Sequence, residues 1–398
     1  MNTKRKFFAL AMSVSSFAAC AGEAEQIEGD LDAGVDVELD SSVGADLDAS
    51  VDAESEIDPY VPPDADPIEG VDFEWVWVDV PGSICRDGSP TGFGVNMNSA
   101  SKKVMLYYEG GGACYNAVTC GISPINASGD FFAGPQGGLF NRDREENPVK
   151  DWNFVYFPYC SGDVYGGNAL ADPGIGEQHF YGYRNVGLFL DRVAATLPEV
   201  THVFAAGLSA GAIGVGTTSQ IVAEKFPPDV KYSIVADSCA PMDAQFVPGC
   251  LQKQWRDLWG LDTTFLADCG SYCPDYDNFM IDIVTYLLAK FEDRDYTIGF
   301  LTSTEDAIIR FFYGYGNNEC NPENPVIPSM PSGTFAAGVM DLRNSLDKFP
   351  QAGTYFIAGE GHGYLSFEEK FFNSTVDGVP LVDWMRDIIE GNAYHVGP

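Results

Sequence analysis

Basic side chains are scarce in this sequence. Its 398 residues include 22 lysines and arginines against 58 aspartates and glutamates, which gives a formal net charge of −36. A chain of this charge repels polyanions such as nucleic acid, and it repels anionic membrane surfaces for the same reason. The charge balance therefore argues against both as partners.

The spacing of the ten cysteines lacks the pattern of a zinc site. Structural zinc sites use closely spaced pairs of cysteines or histidines, and the nearest approach to such a pair is Cys269 with Cys273. Ten cysteines are also many for the cytosol, where thiols are kept reduced. We therefore predict no bound metal, and we predict disulfide bonds formed in an oxidising compartment.

The apolar stretch at the N-terminus is too short to be a permanent membrane span. Residues 1–19 carry three basic residues, Lys4, Arg5 and Lys6, ahead of this stretch, which is typical of a secretory signal peptide. The end of the segment, Phe17-Ala18-Ala19-Cys20, also resembles the site at which bacterial lipoproteins are cleaved and lipidated. We predict lipidation of Cys20, because it would otherwise be a lone thiol at a flexible end. Ordinary cleavage with soluble secretion is the alternative.

The stretch from Glu23 to about Glu69 contains no lysine or arginine and many acidic and small residues. Such a stretch cannot bury enough apolar surface to offset the entropy lost on ordering. We predict a disordered, self-repelling tether over residues 20–69 that holds a catalytic domain away from a membrane. A calcium site is the alternative, but the glycine and the terminal glutamate of an EF-hand loop are missing.

The rest of the chain, residues 70–398, has the composition of one large catalytic domain, since 45% of the whole sequence is hydrophobic. Apolar segments with the pattern of strands alternate with helix-like segments. This alternation predicts an α/β fold with a mostly parallel central sheet, helices on both faces and disulfide-bearing loop insertions. The predicted strands are 73–78, 92–95, 104–108, 153–157, 203–206, 232–236, 296–301 and 354–358, and the predicted helices lie near 185–197 and between residues 210 and 227.

The sequence Gly207-Leu208-Ser209-Ala210-Gly211 joins one of these strands to a helix-like segment. A serine on such a sharp turn needs small neighbours on both sides, which Gly207 and Gly211 provide. A G-x-S-x-G pattern in this setting is typical of a nucleophile elbow, and we predict that Ser209 is a catalytic nucleophile. A glycine-rich turn without a catalytic role is the alternative.

A serine nucleophile needs a base, and the chain has only four histidines. His202 begins the strand that leads to Ser209, so it lies at the wrong end of the sheet, and His395 is close to the C-terminus. His179 precedes a helix upstream of the elbow. His362 instead follows a predicted strand on a glycine-rich loop, where α/β-hydrolases place their base. We therefore predict His362 as the base.

The third member of a triad is a carboxylate at the end of a strand that lies between the serine and the histidine. Asp306 is the first candidate and Glu305 the reserve. Asp237 also ends a strand, although it could simply cap a turn. The order Ser209, Asp306, His362 is that of α/β-hydrolases. The histidine would take the serine proton and then activate water, while the aspartate holds the imidazole tautomer.

The tetrahedral intermediate of acyl transfer carries an oxyanion that needs hydrogen-bond donors. The segment Gly110-Gly111-Gly112-Ala113 follows a predicted strand and is suited to present backbone N–H groups, with the N–H of Ala210 as a second donor. A simple turn is the alternative reading of these glycines.

Several segments together resemble the pectin acetylesterase and Notum family of carboxylesterases. The resemblance covers about residue 72 to the C-terminus, and the joint spacing is more specific than any single motif. The segments are Cys85-Arg86-Asp87-Gly88-Ser89, Glu109-Gly110-Gly111-Gly112-Ala113-Cys114 with Cys120 six residues on, Pro158-Tyr159-Cys160-Ser161-Gly162-Asp163, Ala206-Gly207-Leu208-Ser209-Ala210-Gly211-Ala212 and Ala236-Asp237-Ser238.

The resemblance implies an α/β-hydrolase fold and specific roles for residues of this chain. The triad falls on Ser209, Asp306 and His362, and the oxyanion hole is implied at three backbone donors. The resemblance also implies disulfide bonds between Cys85 and Cys160 and between Cys114 and Cys120. The oxyanion-hole residues are Gly112, Ala113 and Ala210.

Two departures from the family pattern stand out. The family commonly has tryptophan where this chain has Ala113, so contacts to a substrate differ there although the backbone donor is kept. Five further cysteines do not map onto the family, and because five is odd, at least one of them is expected to be free. They are Cys239, Cys250, Cys269, Cys273 and Cys320.

The N-terminal segment and the resemblance together predict an exported serine carboxylesterase, anchored at the outer membrane or cell surface only through Cys20 or otherwise secreted. It would remove an O-acyl group, foremost acetyl, from a carbohydrate without a cofactor. The acidic domain favours a neutral acetylated glycan over a polyanionic pectin. Three alternatives remain open: a lipid- or protein-acyl hydrolase of the Notum type, a peptidase or amidase with the same triad, and a non-catalytic glycan-binding surface protein. The presence of all three triad residue types in the order of α/β-hydrolases argues against a non-catalytic protein.

Overall fold

A nine-stranded β-sheet is the centre of the described part of the chain. The computed structural model describes residues 65–398 apart from residues 323, 325 and 326. The predicted signal peptide over residues 1–19, the predicted lipidation site Cys20 and most of the predicted tether lie outside the described residues, so these expectations remain predictions.

The strands of the described residues have the following bounds. They are β1 (Trp75–Ile84), β2 (Pro90–Asn96), β3 (Lys103–Tyr108), β4 (Asn153–Phe157), β5 (Ala169–Ala171), β6 (Gln178–Phe180), β7 (His202–Leu208), β8 (Lys231–Asp237), β9 (Tyr296–Ser303), β10 (Ala352–Ile357), β11 (Thr375–Val376), β12 (Val379–Pro380) and β13 (His395–Val396).

The α-helices alternate with these strands. They are α1 (Ala117–Ile122), α2 (Gly182–Thr196), α3 (Ala210–Thr217), α4 (Ser219–Lys225), α5 (Gly249–Trp259), α6 (Phe265–Cys269), α7 (Phe279–Lys290), α8 (Ala307–Tyr313), α9 (Ser332–Leu346), α10 (Glu368–Asn373) and α11 (Leu381–Glu390).

The main sheet is mostly parallel, as the sequence predicts. Its strand order is β1-β2-β4-β3-β7-β8-β9-β10-β13. The pairs β1 with β2 and β2 with β4 are antiparallel, and the remaining pairs are parallel. The strands that the sequence predicts are present, and β1 continues past its predicted end to Ile84. The carboxyl ends of the parallel strands therefore meet at one edge, where α/β proteins place their sites.

Both faces of the sheet are buried. On β3, Val104, Leu106 and Tyr108 belong to one hydrophobic cluster, whereas Met105 and Tyr107 belong to the other. Alternate side chains of a strand point to opposite faces, so a strand that is apolar throughout needs cover on both sides. Residues of α2, α3, α7 and α9 join the first cluster and residues of α10 and α11 join the second. The predicted helices on both faces are confirmed.

The helix after the elbow is divided in two, which corrects the prediction of one continuous helix. Thr218 separates α3 from α4 and has φ −101° and ψ 2°. Its hydroxyl hydrogen-bonds to the carbonyl of Gly214 at 2.7 Å and to the Tyr108 hydroxyl at 2.8 Å. Side-chain bonds of this kind compete with the helical hydrogen bonds and bend or end a helix.

Ser209 lies on the sharp turn between β7 and α3. Its backbone has φ 58° and ψ −115°, an unfavourable conformation for a residue with a side chain. A Cβ atom on Gly207 would collide with the carbonyl of Gly211, and one on Gly211 would collide with the carbonyl of Tyr108. Close backbone contacts therefore explain why glycine is needed on both sides of the serine, as the sequence predicts.

Four disulfide bonds connect the loops of the described residues. Cys85 pairs with Cys160 and Cys114 with Cys120, the two pairs that the family resemblance implies. The cysteines that the sequence left open also form pairs. These are Cys250 with Cys320 and Cys269 with Cys273, while Cys239 is a buried free thiol.

Within the described residues, no helix is both long enough and apolar enough to cross a bilayer.

The elbow glycines provide a test of the fold. We expect Gly211→Ala to destabilise the protein by about 3 kcal/mol, because the added methyl group meets backbone that cannot move aside. Gly216→Ala is the matched control: it lies in the same helix with open space around a Cβ, and we expect it to stabilise by about 0.5–1 kcal/mol. Urea unfolding of the oxidised protein measures both. Equal stability of the two variants would contradict the close packing at the elbow.

Candidate active site

Ser209 stands between an enclosed cavity and an open cleft. Its side chain follows β7 at the carboxyl edge of the sheet, and the residue is only 6% exposed. The enclosed cavity lies on the side of α3 and α5, and the open cleft lies on the side of His362. The serine can therefore contact a group held in the cavity and a group held in the cleft at the same time.

His362 lines the same open cleft as Ser209. It lies on the loop after β10, and its Nδ1 donates to Asp306 Oδ2 at 2.8 Å. This bond leaves Nε2 as the nitrogen that can accept a proton. The structure thus pairs the predicted histidine with the predicted aspartate and places this histidine in the same cleft as the predicted serine.

Asp306 is held in place by its own helix. It follows β9 as the N-cap of α8, where Oδ1 accepts from the backbone N–H groups of Ile308 and Ile309, both at 3.0 Å. The second oxygen remains for His362. Glu305, the reserve candidate, has no hydrogen bond to His362 among the described contacts, although its backbone N–H donates to the carbonyl of Gly359. The geometry favours Asp306.

Asp237 fixes the loop that carries His362. It ends β8 and is fully buried, and its Oδ2 accepts from the N–H groups of Tyr364 and Leu365, both at 2.8 Å. Burial raises the pKa of Asp237, while these hydrogen bonds counteract the rise. The neighbouring Ser238 hydroxyl donates to Asp237 and accepts from the N–H of Gly363. The sequence singles out Asp237 only as a strand end, because its partners lie more than a hundred residues further along the chain.

A lysine fixes the same loop from the other side. Lys370 on α10 donates to the carbonyls of His362 and Gly363 at 2.7 and 2.9 Å. Nothing in the sequence pattern marks this lysine, since its partners are backbone atoms. The histidine loop is therefore held through its N–H groups by β8 and through its carbonyls by α10.

The predicted oxyanion-hole donors lie beside Ser209. Gly112, Ala113 and Ala210 all line the enclosed cavity together with the serine. Among the hydrogen bonds of the described residues, none uses the backbone N–H of these three residues. Unpaired N–H groups of this kind at the edge of a cavity are the donors that a developing oxyanion requires.

The glycine loop is pressed against its surroundings. A Cβ atom on Gly110 would come within 2.7 Å of the carbonyl of Leu208, and one on Gly111 within 2.5 Å of the Tyr159 ring. Gly112 has φ +83°, which disfavours any other residue. Close approach to the elbow therefore requires glycine at position 110, while the Tyr159 ring and the positive φ angle restrict positions 111 and 112. The role of this loop in an oxyanion hole stays a prediction.

A buried arginine supports the far end of this loop. Arg86 is 1% exposed and donates to Cys114 Sγ and to the carbonyls of Cys120 and Ser123. Burial lowers the pKa of Arg86. Together with the Cys114–Cys120 disulfide, the guanidinium fixes the chain directly after Gly112 and Ala113.

The enclosed cavity is apolar and small. Its volume is about 50 Å³, and no charged side chain lines it. A second apolar cavity of about 60 Å³ adjoins it. The residues that line both cavities are Ile213, Thr217, Phe265, Phe279 and Met280.

The open cleft, here called the catalytic cleft, is about ten times larger than the enclosed cavity. Its volume is about 570 Å³. Tyrosines, proline, glycines and a carboxylate line it, and no lysine or arginine does so. Apart from Ser209 and His362, its lining includes Tyr107, Glu109, Pro124, Pro135, Tyr156 and Ser366.

The other histidines lie outside the site. His202 is at the opposite end of β7, where Nε2 contacts the Ser233 hydroxyl at 2.9 Å. Burial, with the charges of Lys231 and Lys103, lowers the pKa of His202 to about 3. His395 contacts Thr354 in the sheet, and His179 lies in the β5–β6 hairpin. No group of three or more potential metal ligands is placed to hold an ion in residues 65–398 as described.

The sequence model of the family described as Pectinacetylesterase matches residues 69–264, which include Ser209 and the glycine loop but not Asp306 or His362. Human palmitoleoyl-protein carboxylesterase NOTUM is 29% identical over 200 residues, covering 46% of this chain and 38% of the relative. Pectin acetylesterase 4 of Arabidopsis thaliana is 34% identical over 98 residues, covering 23% and 24%.

Two further comparisons define the family and the fold. The inactive palmitoleoyl-protein carboxylesterase notum1b of Danio rerio is 31% identical over 103 residues, which are 24% of this chain and 73% of the relative. The solved structure of the Wnt deacylase Notum from Drosophila matches with a TM-score of 0.59 at 20% identity, covering 79% of this chain and 92% of that chain. The chain spans 38% or less of the first Notum relatives that it matches. With the elbow, the glycine loop and the sheet described above, these similarities show that the chain belongs to the pectin acetylesterase and Notum family and has an α/β-hydrolase fold.

Proposed function

We propose that the protein is a serine carboxylesterase that removes a small acyl group, foremost acetyl, from a hydroxyl of a carbohydrate. The observation that carries this proposal is the position of Ser209 between an enclosed apolar cavity and an open cleft. Unpaired backbone N–H groups line the cavity beside the serine, and the paired His362 lines the cleft. A small acyl group fits the cavity and the alcohol fits the cleft.

The geometry supports a two-step acyl transfer. His362 Nε2 takes the proton of Ser209 as Oγ bonds to the ester carbonyl carbon, and the oxyanion is held by the N–H groups of Gly112, Ala113 and Ala210. The intermediate collapses as the carbon–oxygen bond to the alcohol breaks, and the imidazolium returns its proton to the leaving alcohol. Water then repeats the sequence on the acyl serine and releases the acid. Asp306 stabilises the imidazolium in both steps.

The size of the cavity supports a short acyl group. One water-sized group needs about 10–15 Å³ of cavity volume, so a cavity of about 50 Å³ accepts about four such groups. Acetyl fits with room for a few more carbons. Its apolar lining offers no partner for a charged or strongly polar acyl group.

A somewhat longer acyl chain is the second candidate, because the adjoining cavity of about 60 Å³ shares five lining residues with the first. The name of the human relative, a palmitoleoyl-protein carboxylesterase, points the same way. On the same scale, the cavities of about 50 and 60 Å³ together accept about nine water-sized groups, which is fewer than the carbon atoms of a long fatty acyl chain. This comparison favours short to medium acyl groups.

Export fits the disulfide content. Four disulfides connect the described loops, and such bonds persist in oxidising compartments. We propose an exported protein, with lipidation of Cys20 as the means of attachment to a membrane. Mass spectrometry of the mature N-terminus decides between a lipidated and a plain cysteine.

Covalent labelling tests the assignment of the nucleophile. We expect a fluorophosphonate to modify Ser209 alone, and Ser209→Ala to lose both the label and the hydrolysis of p-nitrophenyl acetate. Ser219→Ala, which removes another buried hydroxyl outside the site, is expected to keep both. Peptide mass spectrometry locates the label. Ester hydrolysis that persists in Ser209→Ala would refute the proposal, and faster cleavage of p-nitroacetanilide than of the ester would indicate an amidase.

The role of Asp306 gives a second kinetic test. We expect Asp306→Asn to lower kcat by about 10⁴-fold, because the amide stabilises the wrong imidazole tautomer. Folding is expected to persist, since an asparagine oxygen can still cap α8. Glu305→Gln is the matched control. It should change kcat by less than about threefold, because the electrostatic interactions of a carboxylate near the surface are weak. A larger loss in Glu305→Gln than in Asp306→Asn would reverse the assignment.

The acyl cavity can be tested with esters of graded length. Ile213 lines both apolar cavities, so Ile213→Phe should shorten the available space. We expect kcat/KM for p-nitrophenyl hexanoate to fall by about tenfold or more relative to the acetate. A few methylene groups that no longer fit an apolar pocket lower kcat/KM by about this factor. The acetate is the internal control. Unchanged selectivity would show that the acyl group does not enter this cavity.

A further inference from the structure

A second open cleft continues from the catalytic cleft. It has a volume of about 540 Å³ and is called the outer cleft here. The two clefts share Glu109, Pro124, Pro135 and Tyr156 as lining residues. A substrate held at Ser209 can therefore extend into the outer cleft, which the acyl-transfer steps above do not use. The side chains that characterise it are Trp77, Asn126, Ser128, Phe131, Phe132 and Tyr159.

Aromatic rings form a continuous row from the outer cleft toward the nucleophile. The ring centroids of Trp77 and Phe132 are 5.2 Å apart, and those of Phe132 and Tyr156 are 5.8 Å apart. Tyr156 then stacks on Tyr107 of the catalytic cleft at 5.8 Å with an interplanar angle of 12°. The row thus connects the outer cleft with the catalytic cleft through ring contacts, and its inner end at Tyr107 is buried.

Phe131 stands at the outer cleft with 92% of its surface exposed, the largest exposed fraction among the large hydrophobic residues of the described chain. It ends the short 3₁₀ turn Gly129–Phe131, and the backbone of Gly129 packs against the Trp77 ring. Covering an exposed aromatic ring with a ligand removes apolar surface from water, which favours binding. Its exposure beside a groove that leads to Ser209 points to a ligand surface.

Polar groups line the two clefts together with these rings. Asn126 and Ser128 line the outer cleft, and Glu109 lies where the two clefts join. Glu109 Oε2 accepts from the N–H of Tyr159 at 2.9 Å, and burial raises the pKa of this carboxyl. Among the described residues, no lysine or arginine lines either cleft. The clefts thus offer hydrogen bonds and aromatic faces but no cation for an acidic ligand.

We propose that the outer cleft is a subsite for sugar rings of a neutral glycan, beyond the acylated residue held at Ser209. The inference rests on the proposed function for the catalytic cleft. A pyranose ring presents C–H groups on its faces and hydroxyls on its edge, and this matches aromatic rings interleaved with amide, hydroxyl and carboxylate groups. A uronate chain would bring negative charge beside Glu109 without a compensating cation. The Asn126 amide already donates to Asp87 Oδ2 at 3.3 Å, whereas a lipid surface would leave the Ser128 hydroxyl in the outer cleft without a partner.

Binding without turnover provides the first test. Unacetylated xylo- and manno-oligosaccharides, from disaccharide to hexasaccharide, are titrated into the wild-type protein by calorimetry, with oligogalacturonides of the same lengths alongside. We expect affinity to rise with length for at least one neutral series and to be weaker for oligogalacturonides. Failure of both neutral series to bind, or tighter binding of the oligogalacturonides, would overturn the proposal.

Substitution of the exposed ring tests the location. We expect Phe131→Ala to weaken binding of the longest neutral oligosaccharide by roughly threefold to tenfold, the value of one aromatic contact, and Phe131→Trp to retain it. Tyr272→Ala is the matched control, because Tyr272 is 59% exposed and lines neither cleft. An equal loss in Tyr272→Ala, or no loss in Phe131→Ala, would contradict the subsite. The subsite would also be contradicted if Phe131→Ala reduced adsorption to phosphatidylcholine vesicles and left sugar binding unchanged.

Turnover separates this inference from the proposed function. We expect Phe131→Ala to leave kcat/KM for p-nitrophenyl acetate unchanged and to lower kcat/KM for acetylated xylohexaose. Equal loss on both substrates would overturn the subsite, because the small ester does not reach the outer cleft. If the wild-type protein hydrolyses neither ester, the proposed esterase function fails, whereas the calorimetric test of sugar binding still decides the subsite.

Discussion

The pair of hydrogen bonds from Tyr364 and Leu365 to the buried carboxylate of Asp237 is the constraint on which the candidate site depends. They tie the loop after β10 to the end of β8, the strand beside the elbow strand β7. A buried carboxylate is costly unless hydrogen-bond donors satisfy it. Moving the loop away would remove two of the donors to Asp237, so the loop is held in place. His362 is therefore held over the same cleft as Ser209 by an interaction in which neither residue takes part.

The two sides of Ser209 differ in a way that suits ester hydrolysis. The cavity beside the glycine loop is enclosed, apolar and small, whereas the cleft beside His362 is open and more than ten times larger. An acyl group requires little room and no polar partner, while the alcohol must leave after the first step and water must enter for the second. The aromatic row from Trp77 to Tyr107 joins this cleft to the outer cleft, the subsite that we propose for a glycan.

Membership of the family does not by itself establish an active enzyme, since one relative is named as inactive. The family model covers the elbow and the glycine loop but ends at residue 264. Support for activity in this chain comes instead from the contact of His362 with Asp306 and from the unpaired N–H groups beside Ser209. These features depend on how the C-terminal third of the chain packs onto the matched part.

The sequence alone determined the features that depend on local sterics and short-range periodicity. The glycines around Ser209, the apolar strands and the order of serine, aspartate and histidine could be read directly, because strand pattern and close backbone contacts restrict residue type position by position. Tertiary structure decided the break at Thr218, the pairing of Cys250 with Cys320, the anchoring role of Asp237 and the size of the apolar cavity beside Ser209. Each of these depends on contacts between segments distant in the chain, and no local pattern encodes which distant partner a buried group will meet.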